Sequence, residues 1–279
     1  MKNIALGKYV PYDSFLHRLD PRVKLFATIA LVVAIFLPVN PYTMAYTVSG
    51  VIFFLAVIML FVAHIRLKDI FVSLRSLWFL VTFLLVVYIV FPKAEHQLPL
   101  AWEVNGWAVY WDAFAEAGKV ILRLVTMIMI TMLLTATTKP LDLTYGLEWY
   151  MTPLKIFHVP AAEVAMTVSI ALRFIPTLLE DANRVVRAQS SRGVDFAHGH
   201  LAKRITGLTS LIIPLFVSSF IRSEELANAM ECRGYDPRLK RTRYRTLRFR
   251  FTDFIALLGV SAILAGVIVL VATGFNFYA

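Results

Sequence analysis

Arg192 and Arg233 stand in one repeated frame. The chain reads Arg192, Gly193, Asp195 and then Arg233, Gly234, Asp236, an Arg-Gly-x-Asp core written twice at a spacing of 41 residues. Ala188 and Ala229 each precede the arginine by four positions, one helical turn back on the same face. The residue directly before each arginine is small, Ser191 in the first copy and Cys232 in the second. Glycine is a common left-handed terminator just past a helix, and a cation in the last turn is favoured by the helix dipole. The frame therefore predicts two helix tips, each carrying a guanidinium. Such a planar fork of donors fits a groove lined by carboxylates or carbonyls on another protein. The plainer alternative is that each arginine caps its own helix or reaches a lipid phosphate. The doubling favours docking, because two matched tips imply two similar grooves.

Other chemistry is missing. No GxxxxGK[ST] stretch is present, so the chain is not its own P-loop ATPase and its energy must come from a partner. No HExxH or other close His/acid pair lies inside an apolar run, and His198 and His200, flanking Gly199, predict a solvated loop rather than a metal site. Cys232 is the single cysteine, which excludes an intramolecular disulfide and a multi-cysteine metal site. The expectation is a protein without catalytic residues, metal or cofactor.

The elements that must position the tips are membrane elements. Hydrophobic residues make up 59% of 279, charged residues only 16%, and mean hydropathy is +0.70, well short of the ~25% charge of a soluble domain. No cleavable signal peptide is evident at MKNIALGKYVPYDS. Five segments predict transmembrane helices, near 23–39, 42–63, 70–91, 119–137 and 253–274. Lys2, Lys8, Arg18, Arg22 and Lys24 before the first, and Arg66 and Lys68 after the second, place the N-terminus in the cytoplasm. The basic run 238–250 belongs on the same side, where anionic lipid and topology explain it better than nucleic acid. Arg75 and Arg123, the chief ionisable residues inside spans, read as structural residues near cytoplasmic span ends.

Residues 138–252 must then cross an even number of times. Were 160–180 and 205–221 successive spans, Arg192 and Arg233 would face opposite sides. Glu163, Arg173, Glu180, Asp181, Arg184 and Arg187 break up the first stretch, while Arg222, Glu224 and Glu225 end the second. The expectation is an all-α integral membrane protein of about five transmembrane helices, with a cytoplasmic-side assembly of long helices kinked at Pro176 and Pro214. It divides into a four-helix membrane region, 1–138, a cytoplasmic-side helical region carrying both Arg-Gly motifs, 139–250, and a final span, 251–279. Asp20 before Pro21 reads as the N-cap of the first span.

At these residues the chain resembles a known family, the transmembrane (T) component of energy-coupling factor transporters, a branch of the ABC importers. The resemblance runs through Asp13–Leu25 (DSFLHRLDPRVKL), Leu172–Glu180 (LRFIPTLLE) and the two Ala-Arg-Gly signatures. Ser191 and Cys232 replace the usual alanine before each arginine. The resemblance implies a non-catalytic coupling subunit of the prokaryotic plasma membrane, with two coupling helices whose tip arginines, Arg192 and Arg233, seat in two ATPase subunits. Ala188, Ser191, Gly193, Asp195, Ala229, Cys232, Gly234 and Asp236 would complete the docking tips. A small membrane-embedded S component would bind a vitamin or other micronutrient and release it inward. The apolar segments 42–63 and 119–134 are candidates for the face that receives it. The competing reading is an autonomous carrier or channel with a cytoplasmic helical gate.

Overall fold

The computed structural model describes residues 12, 14–39, 42–65, 67–75, 77–90, 100–104, 107–157, 160–194, 201–236, 239, 247 and 249–273. Lys2, Lys8, Asp13, Arg66, Asp195, His198, His200 and most of the basic run 238–250 lie outside them. The chain forms two units, Met1–Gly146 with Leu247–Ala279, and Leu147–Thr246.

The first unit begins with a short turn, α1 (Phe15–Arg18), then α2 (Pro21–Phe36), α3 (Tyr42–Val62), and α4 (Leu67–Arg75), bent by 46° from α5 (Trp78–Val90). A two-stranded antiparallel hairpin follows, β1 (Leu100–Val104) with β2 (Trp107–Tyr110), and then α6 (Trp111–Thr137) and α7 (Pro140–Met151). The chain leaves this unit within α7 and returns to it for α10 (Phe251–Thr273). Helix α6 packs against α2, α3, α4 and α5, and α10 packs against α2.

Helical periodicity decides which side chains meet. In α3 the buried residues Ala45, Ser49, Ile52, Ala56 and Leu60 recur every three or four positions, and in α6 the buried Thr126, Met129, Ile130 and Thr137 fall at i, i+3, i+4 and i+11 on one face. Small residues in these stripes let helix axes approach where lipid supplies no hydrophobic drive. Val51, Phe54, Ile58 and Phe61 fill the opposite, exposed face of α3. The threonine hydroxyls of α6 are satisfied within the helix: Thr126, Thr131, Thr135 and Thr137 each donate to the carbonyl four residues back. Tyr46 Oη donates to Ala115 O at 2.6 Å beside Gly118, where a Cβ would stand 2.7 Å from the tyrosine Oη.

Among the described residues, four helices are long and apolar enough to span a membrane, Thr43–Val62, Trp111–Thr137, Ala162–Ser191 and Phe251–Thr273, with a fifth if the bent pair Lys68–Arg75 and Trp78–Tyr88 is one span. The protein is thus an all-α membrane protein in its spans, but membership differs from expectation. The segment expected at 23–39 gives a helix of 16 residues, about 24 Å at 1.5 Å per residue, less than the ~30 Å hydrocarbon core. Conversely, Ala162–Ser191 passes on length and composition because its charges crowd toward its C-terminal half. Arg123 does not sit with the N-terminal cations. Its Nη2 donates to Leu37 O at 3.3 Å, at the opposite end of α2 from Asp20.

The N-terminal end of α2 is a buried knot of charge. Asp20 is the N-cap, its Oδ1 accepting from Arg22 N at 2.9 Å, with Pro21 in the first turn. Its own amide donates to Asp253 Oδ1 at 2.8 Å, and Asp253 Oδ2 accepts from Arg250 N at 2.7 Å. One carboxylate, wholly buried, thereby ties the N-termini of α2 and α10. Lys24 Nζ donates to Thr137 O at 2.9 Å and His17 O at 3.4 Å. The charges of Asp142, Asp253 and Asp20 act on that ammonium.

Candidate functional site

The second unit is built on α8 (Ala161–Ser191) and α9 (Leu201–Cys232), which pack against one another. Each carries a proline inside a continuous helix, Pro176 and Pro214. A proline cannot donate to the carbonyl four residues back. For Pro214 that orphan is Ser210 O, and Gln189 Nε2 of α8 reaches it at 3.5 Å. Further along, Arg222 Nη2 donates to Asp181 Oδ2 at 2.7 Å, a half-buried pair, with the guanidinium 5.9 Å from the Phe174 ring centroid. Moving up α8 from 181 to 189 moves down α9 from 222 to 210, so the helices run antiparallel.

The two helix ends have one geometry. At the end of α8, Gly193 N donates to Ser190 O at 3.0 Å and Val194 N to Gln189 O at 3.0 Å. At the end of α9, Gly234 N donates to Glu231 O at 2.9 Å and Tyr235 N to Met230 O at 3.0 Å. These paired reverse bonds are Schellman closures, with Gly193 (φ +84°) and Gly234 (φ +69°) in the left-handed position. A Cβ at either glycine would meet nothing within 4 Å. Backbone conformation alone, not crowding, therefore demands glycine there.

Because backbone amides close both ends, the arginine side chains are not needed as caps. Arg192 and Arg233 are exposed, each donating its backbone amide to its own helix, and neither guanidinium has a hydrogen-bond or ion-pair partner among the described residues. Ala188 and Ser191 on one tip, and Ala229 and Cys232 on the other, are also exposed. They lie three or four positions from each other or next to the arginine, so each tip shows a cation on a collar of small side chains. Ser191 Oγ is turned back onto Arg187 O at 3.0 Å. Asp236 is exposed and takes part in an interaction of its own, while Asp195 lies outside the described residues. The structure thus arranges the sequence-predicted residues as two separate tips rather than one cluster. Such tips can bind a partner through directed hydrogen bonds; no group of His, Cys, Asp and Glu able to hold a metal occurs among the described residues.

Sequence reasoning missed the pin between the arms. Asp181 and Arg222 are 41 residues apart, the same spacing as Arg192 and Arg233, so the ion pair joins equivalent positions of the repeat. Following that spacing backward from the tips would have found it.

Residues 13–244 match a family described as CbiQ, cobalt transport protein. The chain is 40% identical over 272 residues to an energy-coupling factor transporter transmembrane protein, EcfT, of Brevibacillus brevis, covering 97% of each chain. It is 38% identical over 258 residues to the Staphylococcus aureus protein of that name, covering 92% of this chain and 93% of that protein. Its likeness to the Bacillus subtilis one is 38% over 267 residues, covering 95% and 98%.

Proposed function

The chain belongs to the CbiQ cobalt transport protein family as a transmembrane component of energy-coupling factor transporters, and from that premise we propose that it is the coupling subunit between two ATPases and a substrate-binding S component. Arg192 and Arg233 are the docking plugs, one for each ATPase. ATP-driven closure of the ATPases moves the ends of α8 and α9, and the membrane unit passes that movement to the S component. The observation that carries this reading is the pair of Schellman ends whose arginines are exposed and unneeded for capping. Two equal tips suit two ATPase subunits of similar shape.

In this reading the N-terminus and both tips face the cytoplasm, and α8 and α9 lie along the inner face of the membrane rather than crossing it. Asp181, Arg184 and Arg187 on α8 and Glu224 and Glu225 on α9 fit that placement. The exposed stripe Val51, Phe54, Ile58 and Phe61 on α3 is a surface for the S component. ATP hydrolysis belongs to the ATPases, and the choice of vitamin or other micronutrient belongs to the S component.

The test is purification from native membranes in mild detergent, with wild type beside Arg192→Glu and Arg233→Glu. Wild type should bring down two ATPase chains and a small membrane protein. Charge reversal at either tip should strip an ATPase or abolish uptake driven by hydrolysis. A protein that runs alone, with both variants still transporting, would instead be an autonomous carrier.

A further inference from the structure

The second unit joins the first through two chain connections, one leaving within α7 and one returning ahead of α10. Both are fastened to the same few residues of the first unit. On the outgoing side, Lys24 holds Thr137 O at the end of α6, three residues before α7 begins. Gly146 then lays α7 on the first turn of α2: a Cβ there would stand 2.9 Å from Leu25 Cδ1 and 3.5 and 3.6 Å from the backbone of Pro21 and Arg22. On the returning side, Asp253 binds the amides of Arg250 and Asp20 together. Asp253 is 0% exposed, Asp20 5% and Lys24 8%.

Such a knot is expensive to assemble and sharply defined once made. Buried ionic groups need nearly every hydrogen bond satisfied, which leaves little freedom in the helices they join. A single apolar contact at this place would let α10 and the end of α6 slide on α2; directed bonds to named backbone atoms do not, and the close packing at Gly146 keeps α7 against the same turn.

We propose that Lys24, Asp253 and Gly146 are positioning residues for energy coupling, a fixed anchor on the first turn of α2 against which movement of the second unit is delivered to the membrane helices. The inference rests on the coupling function proposed above. None of the three lies at the tips, so they act on transmission and not on ATPase docking.

The experiment uses the full complex in proteoliposomes, comparing wild type with Lys24→Met, Asp253→Asn and Gly146→Val. Co-purifying ATPase per T component, ATP hydrolysis, and substrate taken up per ATP are measured on each. The expected result is unchanged ATPase content and hydrolysis within about twofold, with uptake per ATP falling roughly fivefold or more, the size of an ordinary inter-site coupling. Uptake per ATP equal to wild type in all three variants overturns the proposal. Asp253→Asn is nearly isosteric and can keep the bond from Asp20, so it guards against simple misfolding by Lys24→Met. If no variant accumulates, or if docking, hydrolysis and uptake fall together, the knot serves folding alone and the proposal is wrong. Wild type that brings down no ATPase overturns the docking function, and the anchor role with it.

Discussion

At the first turn of α2, Asp20, Lys24 and Asp253 are almost sealed from solvent and aim at backbone groups of neighbouring segments. At the ends of α8 and α9, Arg192 and Arg233 are exposed, and backbone bonds alone close the helices. Both regions are rich in charge, yet charge does opposite things in them. Buried, it specifies one arrangement of three helices; exposed on a self-sufficient helix end, it is left available to something outside the chain. Under the proposed function, stability and docking fall to different charges, and substitutions should separate them.

The largest effect should come from Asp253→Ala, which leaves the buried amide of Asp20 and the part-buried amide of Arg250 without an acceptor and removes a balancing charge from Lys24. A loss of about 3 kcal/mol or more is expected, read as a lowered denaturation midpoint of the purified subunit in detergent. A shift no larger than that of a tip variant would break the contrast between the regions. Next comes Gly193→Ala or Gly234→Ala, each forcing a side chain into the left-handed region for about 1–2 kcal/mol. Since a Cβ meets no neighbour there, the cost should stay local, seen as faster hydrogen exchange at Val194 or Tyr235 with the core of α6 unaffected. Faster exchange across the whole bundle would mean that the tips are not independent of the core. The smallest effect belongs to Arg192→Ala and Arg233→Ala, which should leave the unfolding midpoint of the isolated subunit unmoved. A clear drop would assign the arginines to the fold and sharpen the line between cap and plug.

The tips were legible from Arg, Gly and Asp spacing because a Schellman end is a local event, written within six residues. The N-cap at Asp20 with Pro21 was legible for the same reason. The partner of Asp20 was not: Asp253 lies 233 residues away, and only the folded chain brings the two together. Helix length was read poorly at α2, because Leu37 and Val39 prolong the apolar run while Pro38 holds Leu37 in an extended conformation (φ -58°, ψ 136°) and ends the helix at Phe36. The hairpin was legible but overlooked. Asn105-Gly106 between Val104 and Trp107 is the usual short-range sign of one. The candidate site therefore stood out in sequence at its tips and stayed hidden at its pin.

That pin sets the mechanics of the pair. Asp181 and Arg222 each stand eleven residues before their tip arginine, about 16 Å of helix on either arm. Antiparallel arms of equal length on one pin form a balance beam. Equal pushes in the same direction at both ends carry no torque about the pin and shift the beam bodily, while a push at one end alone turns it. Two ATPases acting in step would drive translation, and one acting out of turn would spend its stroke on rotation.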